Sequence, residues 1–166
     1  MQEHIRDQEA MASVAIMVTS DTRTIETDES GKKAVELFEK EGHKVVAHII
    51  VKNDTERIRS TFESFTANTD IQVIITSGGT GVGLKDVTVD TVAACFDKKL
   101  EGFGELFRRH SYEEIGIAAV MSRATAGISK GKLVFCLPGS KGAMVTALQK
   151  IILPSLGHTL WELNRK

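Results

Sequence analysis

The chain repeatedly runs a short apolar stretch straight into a loop of small and polar residues. This alternation constrains the fold more than any other feature. Ser13-Val14-Ala15-Ile16-Met17-Val18 ends in Thr19-Ser20-Asp21-Thr22, and Val45 to Val51 ends before Asn53-Asp54. Ile71-Gln72-Val73-Ile74-Ile75-Thr76 runs into Ser77-Gly78-Gly79-Thr80-Gly81-Val82-Gly83, and Leu133-Val134-Phe135-Cys136-Leu137 stops at Pro138-Gly139-Ser140. Apolar runs of this length, bounded by turn residues, are strands covered on both faces, the condition of a parallel sheet. Between them lies helical spacing. Ser30 precedes a helix with Ala34, Val35, Leu37 and Phe38 on one face, closed by Glu41-Gly42, and Ile58, Phe62 and Phe65 follow Asn53-Asp54. Thr88 to Phe96 and Glu105 to Glu114 also read as helices. So does Ile117 to Gly127, with Ile117, Val120, Met121 and Ala124 on one stripe, and Pro154 is expected to break the final helices. The pattern predicts an α/β three-layer sandwich with a mostly parallel central sheet.

A chain of 166 residues is one domain at roughly 100–200 residues per domain. We divide it into a polar N-terminal extension, residues 1–12, and a single domain, residues 13–166. Lysine and arginine number 21 against 22 acids, a net charge of -1, without the basic excess of a nucleic-acid or membrane-surface binder. No apolar run approaches the ~20 residues that span a bilayer, and Met1 to Ala10 lacks the apolar core of a secretory signal. Cys95 and Cys136 sit in apolar surroundings with no metal-binding spacing and read as reduced thiols of a cytoplasmic protein. His4, His43, His48, His110 and His158 show no metal spacing and read as ordinary surface or core residues.

In parallel α/β sheets ligands bind outside the carboxyl ends of the strands. The loops that follow the strands therefore gather on one rim and supply small residues, hydroxyls and acids suited to a phosphorylated ligand and a metal ion. Gly78, Gly79, Gly81 and Gly83 remove Cβ atoms, so backbone N–H groups can approach an anion. A tight strand-to-helix turn needs the same glycines. The loop fits neither GxxxxGK[ST], since Gly83 is followed by Leu84-Lys85-Asp86, nor GxGxxG, since Leu84 stands where the third glycine belongs. Asp86 beside a phosphate cradle implies a bridging cation such as Mg²⁺, or else a helix cap; Asp54 before Thr55-Glu56-Arg57 has the same two readings. Arg123 is either a bidentate phosphate clamp or a solvated helix arginine.

Taken together, Thr19-Ser20-Asp21-Thr22, Ser77-Gly78-Gly79-Thr80-Gly81 with Lys85-Asp86-Val87-Thr88, Gly102-Phe103-Gly104-Glu105, Ser122-Arg123-Ala124 and Leu137-Pro138-Gly139-Ser140 resemble the MoaB/Mog family of molybdenum cofactor biosynthesis proteins, also found as a domain of gephyrin. The resemblance covers residues 13–163, and Glu101 to Arg108 with Ser111 to Gly116 look more like the MoaB branch than the Mog branch. It implies the molybdopterin-binding fold, assembled as a homotrimer or homohexamer. It implies Mg²⁺ as cofactor, and ATP and molybdopterin as substrates. The reaction is adenylylation, in which the terminal phosphate of molybdopterin attacks the α-phosphate of ATP and pyrophosphate leaves. Metal-insertion and molybdopterin-synthase proteins are implied as partners.

Carried over by position, the catalytic acids are Asp54 and Asp86, with Asp86 holding Mg²⁺. Ser20, Asp21, Ser77, Gly78, Gly79, Thr80, Gly81, Glu105, Ser122, Arg123, Pro138, Gly139 and Ser140 fall at substrate-binding positions. Lys85 stands where many relatives have arginine, and Lys141-Gly142 where proline or threonine is frequent. Some members of the MoaB branch lack the acid at position 86 and are catalytically silent. A non-catalytic molybdopterin-binding or assembly protein is accordingly the alternative, and retention of Asp54 and Asp86 favours the enzyme.

Overall fold

The computed structural model describes residues 10–165. The strands are β1 (Ser13–Thr19), β2 (Lys44–Val51), β3 (Val73–Ser77), β4 (Lys98–Lys99), β5 (Thr125–Ser129) and β6 (Lys132–Leu137). The helices are α1 (Glu29–Lys40), α2 (Thr55–Ala67), α3 (Thr88–Ala93), α4 (Glu101–Ile115), α5 (Lys141–Ala147) and α6 (Leu153–Asn164). The six strands form one sheet in the order β2-β1-β3-β6-β5-β4. β2, β1, β3 and β6 run parallel, and β5 runs antiparallel to both β6 and β4. The expected mostly parallel sheet with helices on both faces is therefore present.

Successive residues of a strand point to opposite faces, and β1 divides its apolar side chains accordingly. Val14, Ile16 and Val18 join a core with Phe38 of α1, Phe107 of α4 and Leu148, while Ala15 and Met17 join a second core with Ile58 and Phe62 of α2. That two-sided burial is why the strand reads as one apolar run. The helix starts are specified locally: Asp28 accepts from Gly31 N to cap α1, Asp54 from Arg57 N to cap α2, and Ser140 from Ala143 N to cap α5.

The helix expected over Ile117–Gly127 is absent. Gly116, at φ 65°, ends α4, a 3₁₀ turn covers Gly116–Met121, and Thr125–Ser129 is strand β5. The apolar stripe does not face the core: Ile117 is 77% and Val120 73% exposed, and Ala119 is the buried residue of that turn. Packing selects the strand, since a Cβ at Gly127 would lie 2.4 Å from the Phe96 ring. Lys130 (φ 47°) and Gly131 (φ 74°) then form the two-residue turn joining β5 to β6. Pro154 does not break the last helix either. It follows a π-helical turn over Leu148–Ile152 that joins α5 to α6, a local widening that accommodates a residue without an N–H inside a continuous helical run. Cys136 is buried, Cys95 half-buried, and both are free. Burial without a partner charge pushes the Cys136 thiol up to about 12, so it is inert as a nucleophile.

The polar extension expected over residues 1–12 lies, for residues 1–9, outside the described residues. Its last residue, Ala12, is buried, and its N–H donates to His43 Nδ1. Among the described residues no helix is long and apolar enough to cross a membrane.

Candidate active site

The carboxyl ends of β1, β3 and β6 bring three loops together. The glycine loop leaves β3 with Gly78 at φ 97° and Gly79 at φ 67°, both in the left-handed region that glycine adopts without strain. Close approach fixes these residues too. A Cβ on Gly78 would lie 2.5 Å from Thr19 O, and one on Gly79 would lie 2.2 Å from Thr88 Oγ1. Behind the loop the buried hydroxyls of Thr19 and Thr88 stand 2.9 Å apart, and Thr19 Oγ1 donates to Ser77 O. The loop is thereby pinned to β1 on one side and to the start of α3 on the other.

Asp86 folds back over this loop. Its Oδ2 accepts from Gly83 N at 2.8 Å and would lie 2.8 Å from a Cβ on Gly81. It is not the cap of α3, whose N-cap position is Val87 with no side-chain bond. Arg123 closes the loop from the far side. Its Nε donates to Gly81 O at 2.8 Å and Nη2 to Asp86 O at 2.9 Å. Nη1 and Nη2 meet Asp90 Oδ1 and Oδ2, and Arg123 N donates to Thr80 O. The guanidinium thus shapes the loop. It stands in the segment before β5 and not on a helix. Hydrogen bonds from Arg123 hold the Asp90 carboxyl below its usual range, and Asp90 in turn raises Arg123.

Asp21 ties three loops along the rim. Its Oδ1 accepts from Asn53 N at 3.0 Å, and its Oδ2 lies 3.7 Å from Lys85 Nζ in the glycine loop. The Asn53 hydrogen bonds lead the causes that lower its carboxyl, followed by Lys85 and Lys52. Asp54 follows Asn53, with one oxygen occupied as the cap of α2. Ser20 Oγ accepts from Thr22 N and Arg23 N, which fixes the loop after β1.

Sequence reasoning passed over a buried ionic group beneath the rim. Asp28 is fully buried, with Oδ2 2.7 Å from His48 Nε2 and Oδ1 accepting from Gly31 N and Ser30 Oγ at 3.1 Å. Arg23 Nη1 lies 3.7 Å from Asp28 Oδ1 and donates to Gly139 O at 2.8 Å. Ser77 joins this group, its Oγ 3.4 Å from Ser30 Oγ and donating to Pro138 O. His48 is therefore not an ordinary histidine. The available signal was Asp28 three residues before Gly31, the spacing of an N-cap.

A cleft of about 320 Å³ opens between these loops and α4. Gly79, Thr80, Gly81 and Asp86 form one wall, and Pro138, Gly139 and Ser140 the other. Ser122 lies at its edge, and Phe107, Ile115 and Met121 make an apolar floor. Glu105 is not brought there. It is exposed on α4, on the side away from Phe107. A larger hollow of about 470 Å³, lined by Leu37, His43 and Leu153 among others, lies at the amino ends of the strands, away from every loop of the rim.

The family model described as a probable molybdopterin binding domain matches residues 15–158. The chain belongs to the MoaB/Mog family of molybdenum cofactor biosynthesis proteins. It is 46% identical over 165 residues to molybdenum cofactor biosynthesis protein B of Bacillus cereus, covering 99% of this chain and 98% of that protein. A crystal structure of a molybdenum cofactor biosynthesis protein B, 46% identical, superposes with TM-score 0.91 over 95% of this chain and 98% of the other. The tungsten cofactor synthesizing protein MoaB from Pyrococcus furiosus, 35% identical, matches with TM-score 0.82 over 93% of this chain and 98% of its own.

In this MoaB-family chain the residues fit a substrate-borne magnesium ion better than a dedicated metal cage. Among the described residues no group of three or more His, Cys, Asp or Glu side chains converges. Mg²⁺ is commonly held by one or two carboxylates together with substrate phosphates. Asp86 answers to that, because one of its two oxygens is bonded within the loop and the other is left over.

Proposed function

We propose that the chain adenylylates molybdopterin with Mg-ATP. The observation that carries this reading is the convergence, in one cleft, of backbone freed by Gly79 and Gly81, the Asp86 carboxylate against it, and the Ser122 and Ser140 positions. A phosphate oxygen of molybdopterin attacks the α-phosphorus of ATP. The new P–O bond forms as the bond to the bridging oxygen breaks, and pyrophosphate leaves with the electron pair. The nucleophile is ionised on the substrate, so no protein base is required, and positioning with charge neutralisation carries the catalysis. Asp86 would hold a Mg²⁺ ion here, and that ion would supply charge neutralisation for the leaving pyrophosphate.

This chain's residues divide the remaining work. The glycine-loop amides bind phosphate oxygens, and Asp86 holds the cation at the loop's edge. Asp54 supplies the second acid at the end of β2. Ser140 contacts substrate from the opposite wall and Ser122 from the edge of the cleft, over the apolar floor of Phe107, Ile115 and Met121. Ser20, Asp21, Ser77 and Arg123 act by fixing the loops. Glu105, exposed on α4 and outside the cleft lining, has no part in this reading. A homotrimer, or a homohexamer built from trimers, suits the exposed Ile115, Ile117, Val120 and Met121 beside the cleft. Of the C-terminal apolar residues, Leu156 and Leu160 are buried within the protomer and Trp161 is 45% exposed. Light scattering that returns a monomer at micromolar concentration overturns the assembly. Cytoplasmic location and hand-over to a metal-insertion protein belong to the same reading.

The deciding experiment incubates the purified chain with molybdopterin and α-labelled ATP. Transfer of label to the pterin, with release of pyrophosphate and dependence on Mg²⁺, is expected. Pterin binding without transfer makes the chain a non-catalytic binding or assembly protein.

A further inference from the structure

The rim contains two arginines, and they are not equivalent. Arg123 has its fork on Asp90 and its Nε on Gly81 O. Among the described residues, Arg23 makes its side-chain contacts through one nitrogen. Nη1 donates to Gly139 O at 2.8 Å and to Ser30 Oγ at 3.2 Å, and the same atom lies 3.7 Å from Asp28 Oδ1. Those contacts use Nη1 and leave Nε and Nη2, the parallel pair that binds a phosphate or carboxylate bidentately. The side chain is 35% exposed, so that pair is not sealed inside the fold.

The support behind Arg23 is costly. Asp28 is a carboxylate at 0% exposure, and a buried charge is tolerated only when well matched. Its Oδ1 accepts from Gly31 N and Ser30 Oγ, its Oδ2 pairs with His48 Nε2, and Arg23 stands 3.7 Å away. The bonds from Nη1 to Gly139 O and Ser30 Oγ set the direction of the guanidinium, with the Asp28 carboxyl behind them. Backbone adds to this, since Ser20 Oγ accepts from Arg23 N. The other acid of the loop, Asp21, is turned to Asn53 N and Lys85.

The position is also specific. With β1 next to β3 and β3 next to β6, a side chain that starts in the loop after β1 and bonds Gly139 after β6 crosses the carboxyl end of β3. There the chain leaves β1 for β2 on one side and returns as β3 on the other, which opens the crevice where α/β sheets bind ligands. A Cβ on Gly139 would lie 3.4 Å from Gly78 Cα and 3.9 Å from Arg23 Nη1, so the residue that accepts from Arg23 packs against the first glycine of the loop.

We propose that Arg23 is the arginine that anchors a phosphate oxyanion of the substrate at the crevice between β1 and β3. The proposal rests on the adenylylation reading only for the source of that phosphate, the triphosphate of ATP or the monoester of molybdopterin.

The test is calorimetric titration of the wild-type chain and of Arg23→Gln with inorganic pyrophosphate, with melting temperatures taken on the same samples. Glutamine retains a donor for Gly139 O and loses the charge and the fork. Weakening of roughly 10–100-fold, in a variant that melts as wild type, is expected for the loss of a charge-assisted bidentate contact. Equal affinity in the two proteins, or no binding to the wild type, overturns the proposal. Competition of pyrophosphate by ATP or by molybdopterin then names the source. If neither competes, the anion anchor stands and the adenylylation reading falls. If Arg23→Gln does not fold, the ¹⁵N resonance of Arg23 Nε in the wild-type chain replaces it: a shift on adding pyrophosphate supports the anchor, and a static resonance rejects it.

Discussion

The Arg123 guanidinium meets the Asp90 carboxylate fork to fork, Nη1 to Oδ1 at 2.8 Å and Nη2 to Oδ2 at 3.0 Å. The pair is largely solvent-exposed, so its worth to global stability is small, under about 1 kcal/mol. Its importance is local, because the same side chain holds Gly81 O and Asp86 O. Arg123→Lys should therefore melt close to wild type while AMP transfer falls by roughly 10–100-fold through misplacement of the loop. Melting temperature and turnover measured on one sample check this; near-normal turnover returns Arg123 to a surface role.

Two glycines with similar backbones should respond differently to alanine. Gly42 (φ 82°) has open space around its missing Cβ, and Gly79 (φ 67°) has Thr88 Oγ1 at 2.2 Å from it. Gly42→Ala should cost about 1–2 kcal/mol, the left-handed strain alone, with activity intact. Gly79→Ala adds a collision that moves the glycine loop, and should abolish transfer. Denaturant midpoints and transfer rates separate the two.

Asp86→Asn leaves an oxygen to accept from Gly83 N, so the loop keeps its shape and loses a charge. A drop in kcat of roughly 10²–10⁴, with molybdopterin still bound and melting unchanged, is expected if Asp86 holds the cation. Asp54→Asn keeps the cap of α2, because asparagine caps about as well as aspartate, while Asp54→Ala should cost about 1 kcal/mol. Loss of transfer in Asp54→Asn, with α2 intact by melting, assigns it to catalysis; unchanged transfer assigns it to the cap.

His43 gives the fold a dependence on pH. Burial lowers its pKa below the ordinary value, with Glu41 opposing, and its Nδ1 accepts from Ala12 N. The unfolded chain therefore takes up the proton first as pH falls. The stability His43 contributes is complete above the unfolded value of about 6.5 and is lost as pH drops below it toward the folded value. His43→Gln retains an acceptor for Ala12 N without titrating. Its urea midpoint should fall less than wild type between about pH 7.5 and about pH 5.5. Identical falls remove His43 from the account.

The parts of this molecule that could be read from the sequence are those fixed by contiguous residues. The strand β1 reads as an apolar run because both faces are covered, and Asp54 reads as a cap because its partner, Arg57 N, is three residues away. The failures lie where distant residues decide. Ile117, Val120, Met121 and Ala124 have helical spacing, but Gly116 in the left-handed region and the Phe96 ring against Gly127 turn that segment into a 3₁₀ turn and a strand. The pairings of Asp28 with His48 and of Arg23 with Gly139 were not legible, because the partners lie 20 and 116 positions apart. For Arg123 the pairing with Asp90, 33 positions away, was not legible.

The strand order has a consequence in time. β6 lies between β3 and β5 in the sheet, although it follows both in the chain. A ribosome therefore delivers the glycine loop well before Arg123, which bonds Gly81 across 42 positions, and before the strand that seats the segment carrying Arg123 beside β3. Contacts of such separation close late, after the loops they span have paid their entropy. In a chain that ends before β6, the edge of β3 opposite β1 has no native strand to pair with. During that interval β3 is the strand to which a stray segment can add, and the insertion of β6 both removes that hazard and completes the site.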